Sequence, residues 1–185
     1  MTKLNTILLI IDTLIVLSSL IFILFKSFNE KLSFVKKILD ESESECIKQY
    51  KKKHEIIIKL IEMTQSKYKI DSKVFEDAKN INESDLNTYK DEKLLNKCFK
   101  EINQIKEDNL KIKETKAFKE LLQECNKNEI LLVSLRSYHN KYTVIYNDMI
   151  KKFPYNFISK VRRYKLDSLI EGNELETNFN NDVEV

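Results

Sequence analysis

Residues 118–154 have the sequence FKELLQECNKNEILLVSLRSYHNKYTVIYNDMIKKFP, and their pattern is that of one long helix. From Phe118 to Phe153, apolar or weakly polar residues recur in strictly alternating steps of three and four. This spacing is typical of a helix face that packs against neighbouring helices at a shallow angle. Pro154 lacks a backbone N–H and would clash with the preceding turn, so we expect the helix to end there. The seam comprises Phe118, Leu121, Cys125, Asn128, Leu132, Leu135, His139, Tyr142, Tyr146, Met149 and Phe153.

Residues 32–70 carry a second seam with the same alternating steps. Its members are Leu32, Val35, Leu39, Ser42, Cys46, Gln49, Lys53, Ile56, Leu60, Met63, Lys67 and Ile70. Neither seam is interrupted by Gly or Pro, and the whole chain has one of each, Gly172 and Pro154. Because hairpin turns and phosphate-binding loops depend on Gly, this composition argues against β-rich folds and Gly-rich nucleotide sites.

The connections between the helical segments are short, which favours an intramolecular antiparallel bundle. The alternative is a parallel coiled coil between chains, which would require a less polar seam than one containing Ser42, Gln49, Lys53 and Asn128. Shorter helices are predicted from their apolar spacing and from the polar runs that separate them. These helices are Asp71–Ile81, capped by Asp71 or Ser72, then Asp85–Lys106, and Asn156–Leu169 after the proline.

The predicted fold class is therefore all-α, with an N-terminal transmembrane helix followed by an elongated antiparallel bundle of about four helices. Five acidic residues and no Lys or Arg follow Ile170, so the end of the chain is predicted to be disordered. The predicted segments are a short flank at 1–6, a transmembrane helix at 7–25, a helical bundle at 26–170 and an acidic tail at 171–185.

The segment from Ile7 to Phe25 has 19 residues, of which 15 are strongly apolar. At 1.5 Å per residue it would span about 28 Å, close to the thickness of a bilayer core. Its apolar residues favour insertion by about 4.5 to 9 kcal/mol, against a cost of about 3 kcal/mol for a central Asp. Asp12 lies off-centre and is expected to reach towards the interface, with a functional partner inside the membrane as the alternative.

A cleaved signal peptide is the competing interpretation of this segment, but the sequence Phe25-Lys26-Ser27-Phe28 offers no small-x-small cleavage site. Lysines are more numerous after the segment than before it, where Lys3 is the one Lys. The predicted localisation is therefore the cell membrane, single-pass, with a cytoplasmic bundle and an external N-terminus. The bilayer is the partner expected through residues 7–25.

The end of the second seam carries a distinctive series: Arg136, Asn140, Tyr146-Asn147 and Phe153-Pro154. This series resembles the C-terminal signature of the LemA family, in which an Arg, two Tyr-Asn pairs and Phe-Pro lie on one helix. His139 stands where the first Tyr of that pattern is expected.

Other positions extend this resemblance over nearly the whole chain. Upstream of the Arg, the family pattern has a Phe, a Leu and a Glu, which are matched by Phe118, Leu121 and Glu129. Nearer the anchor, the family has a basic-acidic-apolar segment, and the segment from Lys53 to Leu60, with Glu55, is similar to it. Ile58-Lys59 replaces a Pro-Asn of the family pattern. The resemblance implies a membrane-anchored, bromodomain-like bundle of about four helices and no assigned activity.

Glu129 and Arg136 are seven residues apart and share a helix face, beside Asn140 and Asn147. We interpret these residues as a structural polar stripe that pairs across the bundle and fixes helix register; a ligand or peptide site is the alternative. In particular, Glu129 and Arg136 are expected to be buried partners of other charges. The predicted stripe comprises Lys53, Glu55, Glu129, Arg136, Asn140, Tyr146 and Asn147.

No catalytic, cofactor-binding or metal-binding residues are predicted, and the protein is expected not to be an enzyme. His54 and His139 lack a second ligand at metalloprotease spacing, and His139 is expected to be a core histidine. The three cysteines, isolated in sequence, are expected to be reduced core residues. The net charge is +3, and the basic residues are interleaved with acidic ones rather than clustered. No nucleic-acid partner is therefore expected.

The sequence favours a membrane-tethered interaction or scaffold protein whose bundle holds an unknown protein partner, or a second copy, near the bilayer. The alternative is a membrane-tethered binding module that accepts a peptide or small ligand in the bundle groove. Exposed aromatic side chains at one end of the structure would favour the alternative.

Overall fold

The computed structural model describes residues 3–82 and 89–171, and these ranges contain helices and no strand. The all-α prediction is thereby confirmed for the part of the chain that is described. The elements are α1 (Lys3–Tyr68), α2 (Lys73–Lys79), α3 (Tyr89–Asp108), α4 (Leu110–Glu114), α5 (Lys116–Lys151) and α6 (Tyr155–Arg162). Most of the predicted acidic tail, and the predicted start of the helix at Asp85, lie outside the described residues.

Helix α1 runs without a break for 66 residues, so the apolar segment and the first seam form one helix, with no Gly or Pro between them. Within the described residues, α1 is the one helix that is long and apolar enough to cross a membrane, and its most apolar part is not buried by the protein. Side chains from Ile7 to Leu24 are exposed. This arrangement is compatible with a membrane anchor.

The chain divides into two compact units. We call Met1–Asp40 with Lys141–Leu169 the N-terminal unit, and Glu41–Asn140 with Ile170–Val185 the central unit. Helices α1 and α5 contribute residues to both units.

In the central unit, helices α1 to α5 all contribute to an apolar core. Ser42 contacts His139, and Lys53 contacts Glu129, so α1 and α5 run in opposite directions here. The buried apolar residues are Cys46, Tyr50, Ile56, Ile57, Leu60, Ile61, Val74, Phe75, Ala78, Leu95, Cys98, Ile102, Ile112, Phe118, Leu122, Cys125 and Leu132. Both seams contribute to this core at the spacing that their sequences predict.

Local sequence signals explain where the helices of the central unit begin and end. The Ser72 hydroxyl accepts a hydrogen bond from the backbone N–H of Val74 and caps α2, as predicted. Helix α1 ends because Lys69 takes a left-handed φ of 54°, and its N–H then bonds to the carbonyl of Gln65. The helix predicted to end at Lys106 ends at Asp108, and the short helix α4 follows after Asn109.

The core of the N-terminal unit is smaller and more aromatic. It comprises the buried residues Leu32, Leu39, Tyr146, Ile150 and Ile158, against which Phe25, Phe28, Val35, Tyr142, Met149, Tyr155 and Tyr164 pack.

Two predictions for this unit are wrong. Phe153 is not part of the seam: α5 ends at Lys151, and the Phe153 side chain is 83% exposed. The last helix stops at Arg162 rather than at Leu169. It stops because Arg163 has a left-handed φ of 58°, while the N–H groups of Arg163 and Tyr164 bond to the carbonyls of Lys160 and Ser159. This is the Schellman end of a helix, with Arg in the place usually taken by Gly.

Candidate functional site

The most unusual feature of the central unit is a group of polar and charged side chains inside its core. Arg136 of α5 is fully buried, and its Nη1 donates to Glu92 Oε1 of α3 and, over 2.9 Å, to the Tyr50 hydroxyl of α1. The Tyr50 hydroxyl in turn donates to Glu92 Oε2 over 3.3 Å. Glu92 is also buried, so a charge pair and a hydroxyl link three helices away from water.

Both charge and burial act on the ionisation of these groups. Burial disfavours the charged guanidinium, but the hydrogen bond and the charge of Glu92 outweigh it and hold the pKa of Arg136 above its usual value. Burial, together with the Glu92 carboxylate, raises the pKa of the Tyr50 hydroxyl. Arg136 is therefore a fixed cation and Tyr50 a neutral hydroxyl at physiological pH.

A second buried charge, that of Lys53, lies one turn after Tyr50 on α1. Lys53 is 1% exposed and its Nζ donates to Glu129 Oε2 of α5 and to Asn96 Oδ1 of α3, the latter over 2.5 Å. Glu129 is 28% exposed, so water reaches this pair. We call Tyr50, Lys53, Glu92, Asn96, Glu129 and Arg136 together the charged layer.

The charged layer also fixes the directions of the helices. Tyr50 and Lys53 of α1 contact Glu92 and Asn96 of α3, so α1 and α3 run in the same direction and α5 runs against both. A buried charge that loses its partner costs about 3–5 kcal/mol, so other helix registers are strongly disfavoured. Polar contacts of this kind define register more than they add stability.

Two asparagines of the predicted stripe hold the non-helical segment that follows α6. In the N-terminal unit, Asn147 Nδ2 donates to the carbonyl of Asp167, and the Asp167 N–H donates back to Asn147 Oδ1, both over 2.9 Å. In the central unit, Asn140 forms the same pair of bonds with Ile170, at 3.0 and 2.8 Å. We call these two paired contacts the asparagine clamps.

Asp167 is held through its side chain as well as its backbone. Its Oδ2 accepts from Lys36 Nζ of α1 at 2.8 Å, and Lys36 also contacts Asp40 at 2.9 Å. Burial of Lys36 opposes its charge, but the two carboxylates outweigh that effect and raise the pKa of Lys36. The Lys36 ammonium lies 5.8 Å from the centre of the Tyr146 ring.

The structure thus separates the predicted stripe into different environments. Lys53 and Glu129 form the cross-helix pair that the sequence suggested, whereas Glu55 is exposed and takes no part in it. Glu129 and Arg136 each pair with another charge, as expected, but Glu129 is 28% exposed rather than buried. The buried Tyr146 belongs to the core of the N-terminal unit.

The sequence patterns did not identify Glu92 and Asn96 of α3 or Tyr50 of α1 as members of this site. A signal was present for Glu92, because it precedes the inward-facing Leu95 by three residues and so shares its helix face. Lys36 and Asp167 carried no such signal, since Asp167 lies in an irregular segment.

The remaining polar groups of the interior are engaged in packing. His139 Nδ1 lies 3.0 Å from Ser42 Oγ, and both side chains are buried, so this Ser–His pair links α1 to α5 and offers no access to a substrate. His54 Nε2 lies 3.2 Å from the carbonyl of Ala78. Across residues 3–82 and 89–171, no cluster of three or more His, Cys, Asp or Glu has the geometry to hold a metal ion.

The three cysteines Cys46, Cys98 and Cys125 are free and buried, which confirms their prediction as core residues. Burial raises the pKa of the Cys98 and Cys125 thiols to about 12. A thiol with such a pKa is a poor nucleophile at neutral pH.

Comparison with known proteins gives one result. Searches of curated proteins and of solved structures find no match. The model of the LemA family matches residues 42–185, a range that contains the whole charged layer and both asparagine clamps but not the apolar segment at 7–25. The family match is therefore narrower than the sequence resemblance suggested, yet it spans well over half of the chain, and the chain belongs to the LemA family.

Proposed function

We propose that this protein is a single-pass membrane protein whose helical bundle acts, without catalysis, as an interaction or scaffold element beside the bilayer. The observation that carries this proposal is the apolar part of α1, which the protein does not bury and which continues directly into the bundle. The side chains from Ile7 to Leu24 need an apolar environment, and a bilayer supplies it over the length of the segment.

Three finer points belong to the same proposal. The bundle has a bromodomain-like arrangement of four helices, for which the opposed directions of α1 and α5 give support. The membrane is the cell membrane, with the bundle in the cytoplasm and the N-terminus outside, for which the lysines after Phe25 give support. Nucleic acid is not the partner, since basic residues are interleaved with acidic ones.

A non-catalytic role is supported by how the polar residues of the interior are used. The buried charges neutralise one another, the histidines hydrogen-bond to neighbouring groups, and two of the three thiols have pKa values near 12. Catalytic groups, by contrast, are expected to be reachable by substrate and poised near the working pH.

A protein partner, or a second copy of the chain, is supported by exposed apolar side chains on α5. In the central unit, Ile130 is 69% exposed and Leu131 and Tyr138 are also exposed. Leu131 and Tyr138 are seven residues apart and therefore lie on the same side of the helix, as in helix-mediated association.

The anchor is tested by extracting membranes with alkaline carbonate. The full chain should remain in the pellet, and a variant with Ile15→Lys and Leu20→Lys should be released, because two charges near the middle of the segment oppose insertion. The matched control Ile15→Leu with Leu20→Ile should stay in the pellet. Release of the unaltered chain would refute the anchor.

The interaction role is tested by cross-linking in membranes with a photo-reactive residue at Tyr138, against one at the exposed Lys119 of the same helix. A discrete adduct at Tyr138, with another protein or with a second copy, supports the proposal. If neither position gives an adduct beyond background, the scaffold role is refuted.

A second function, binding of a ligand in a groove, is favoured by the exposed aromatic side chains of Phe153 and Phe157 and by the groove beside them. In the N-terminal unit, a groove of about 380 Å³ is lined by apolar side chains that include Phe25, Phe28 and Phe157. The same cross-linking experiment separates the two functions, because a ligand-binding module would yield no protein adduct.

A further inference from the structure

The turn after α5 and the exposed face of α6 carry a group of large apolar side chains. Phe153 is 83% exposed, Phe157 is 60% exposed and Val161 is 59% exposed. They recur every four residues, so Phe157 and Val161 share one face of α6, while Ile158 and Ser159 on its other side are buried. We call residues 153–161 the corner segment.

The corner segment lies beside the C-terminal end of the apolar part of α1. The ring of Phe157 is 6.4 Å from the ring of Phe25, edge to face, and Tyr155 is 5.3 Å from Phe28 in the same geometry. Between them runs the apolar groove, lined by Ile21, Leu24, Phe25, Phe28, Phe153, Pro154, Phe157 and Ile158. The exposed apolar surface is thus continuous with the segment proposed to cross the membrane.

The charges around the corner segment are mostly basic. Residues 148–165 contain six Lys and Arg against the single acid Asp148. Lys160, Arg162 and Arg163 lie at or just beyond the C-terminal end of α6 and are exposed. A helix with exposed apolar side chains and basic residues at its margin is typical of a segment that lies in the interface of an anionic membrane.

We propose that the corner segment is a second membrane contact, which inserts Phe153, Phe157 and Val161 into the leaflet next to the end of the α1 span. Lys160, Arg162 and Arg163 meet the phosphate groups of anionic lipids, and acyl chains fill the groove beside Phe25. This inference rests on the proposed span of residues 7–25. It goes beyond that span, because it assigns lipid as the occupant of a surface formed by α5 and α6.

The chain has no Trp, so a single introduced Trp reports its own environment. Full-length Phe157→Trp, reconstituted in phosphatidylcholine–phosphatidylglycerol vesicles, is compared with vesicles whose acyl chains carry bromine, a contact quencher. Leu17→Trp, within the span, is the positive control, and Lys119→Trp, at an exposed position of the central unit, is the negative control. We expect Phe157→Trp to lose fluorescence to an extent similar to Leu17→Trp and to emit at shorter wavelength than Lys119→Trp.

Each outcome separates the inference from the function on which it rests. If Leu17→Trp is quenched and Phe157→Trp is not, the corner segment does not enter the leaflet and this inference is refuted while the anchor stands. If Leu17→Trp is not quenched either, the span itself is refuted. If Phe157→Trp emits at short wavelength without quenching, a second copy or another protein covers the surface rather than lipid, which also refutes the inference.

The basic residues give an independent arm. Replacing Lys160, Arg162 and Arg163 with Gln should reduce quenching of Phe157→Trp in anionic vesicles and leave quenching of Leu17→Trp unchanged. In vesicles of phosphatidylcholine alone, the same replacements should have little effect. Equal quenching with and without these charges in anionic vesicles would contradict their assigned contact with lipid phosphate.

Discussion

The two units of the molecule differ in which side chains they keep from water and which they expose to it. The central unit places charges inside its core and pairs them, as Arg136 with Glu92 and Lys53 with Glu129. The N-terminal unit keeps a small aromatic core and leaves large apolar side chains such as Phe153 and Phe157 exposed. A unit that buries paired charges depends on excluding water by its own packing, whereas a unit with exposed apolar surface calls for an apolar environment.

The largest expected effect comes from breaking the charged layer at its driest point. Glu92→Ala leaves the Arg136 guanidinium buried without its carboxylate, so the free energy of unfolding should fall by about 3–5 kcal/mol. Denaturant titration of the detergent-solubilised chain measures this change. The neighbouring exposed Lys93→Ala is the control, and it should change stability by less than about 0.5 kcal/mol. Equal effects of the two variants would mean that the Arg136–Glu92 pair is not buried.

A smaller effect is expected at the wetter end of the same layer. Lys53→Met removes the ammonium but leaves Glu129 partly in contact with water, so we expect a loss of about 1–3 kcal/mol. Lys51→Met, two residues earlier and exposed, is the matched control. A loss at Lys53 that exceeds the loss at Glu92→Ala would reverse our ranking of the two pairs by burial.

The asparagine clamps allow the two units to be compared, because each unit contains one contact of the same kind. Asn147→Ala removes two hydrogen bonds, worth about 1 kcal/mol each, to the backbone of Asp167. Hydrogen exchange at the Asp167 amide should accelerate by about tenfold or more. Asn140→Ala should do the same at Ile170 in the central unit, and Asp148→Ala, on the exposed side of α5, should do neither. Unchanged exchange at Asp167 would show that Lys36 alone holds this segment.

The smallest effect is on thiol chemistry and leaves stability unchanged. With pKa values of about 12, Cys98 and Cys125 should be roughly one ten-thousandth thiolate at pH 8, so alkylation should be very slow in the folded chain and fast in denaturant. An exposed thiol introduced by Ser137→Cys supplies the reference rate. Rapid labelling of the native cysteines at that rate would mean that the core of the central unit opens readily.

Much of the fold was predictable because helical periodicity is a local property. The continuity of α1, the two seams and the Ser72 cap follow from residues close together in sequence. The helix face that carries Glu92 was predictable, but its pairing with Arg136 was not, since the pairing depends on how α3 is rotated against α5, which no local pattern encodes. The predicted seam was also wrong at Phe153, because the spacing of three and four residues continues beyond Lys151, where the helix ends.

Two further features lacked a signal for physical reasons. The end of α6 requires a left-handed residue, and Arg163 occupies that position although Gly is the usual choice. The asparagine clamps bind backbone groups, so the side chains of Asp167 and Ile170 give no sign in the sequence that their backbones form these hydrogen bonds. The two asparagines of the polar stripe were therefore found on α5, while their backbone partners in the segment after α6 were missed.

The asparagine clamps have a consequence for how the end of the chain can change. An amide side chain that bonds to one backbone N–H and one backbone C=O forms the same two hydrogen bonds as a residue pair in a β-sheet. It therefore recognises only the peptide backbone and not the side chain. Substitutions at Ile170 should therefore leave its clamp intact, with Pro as the exception because it lacks the N–H. The backbone positions of residues 167 and 170 are thus set by two asparagines of α5, and the side chain of residue 170 takes no part in its clamp.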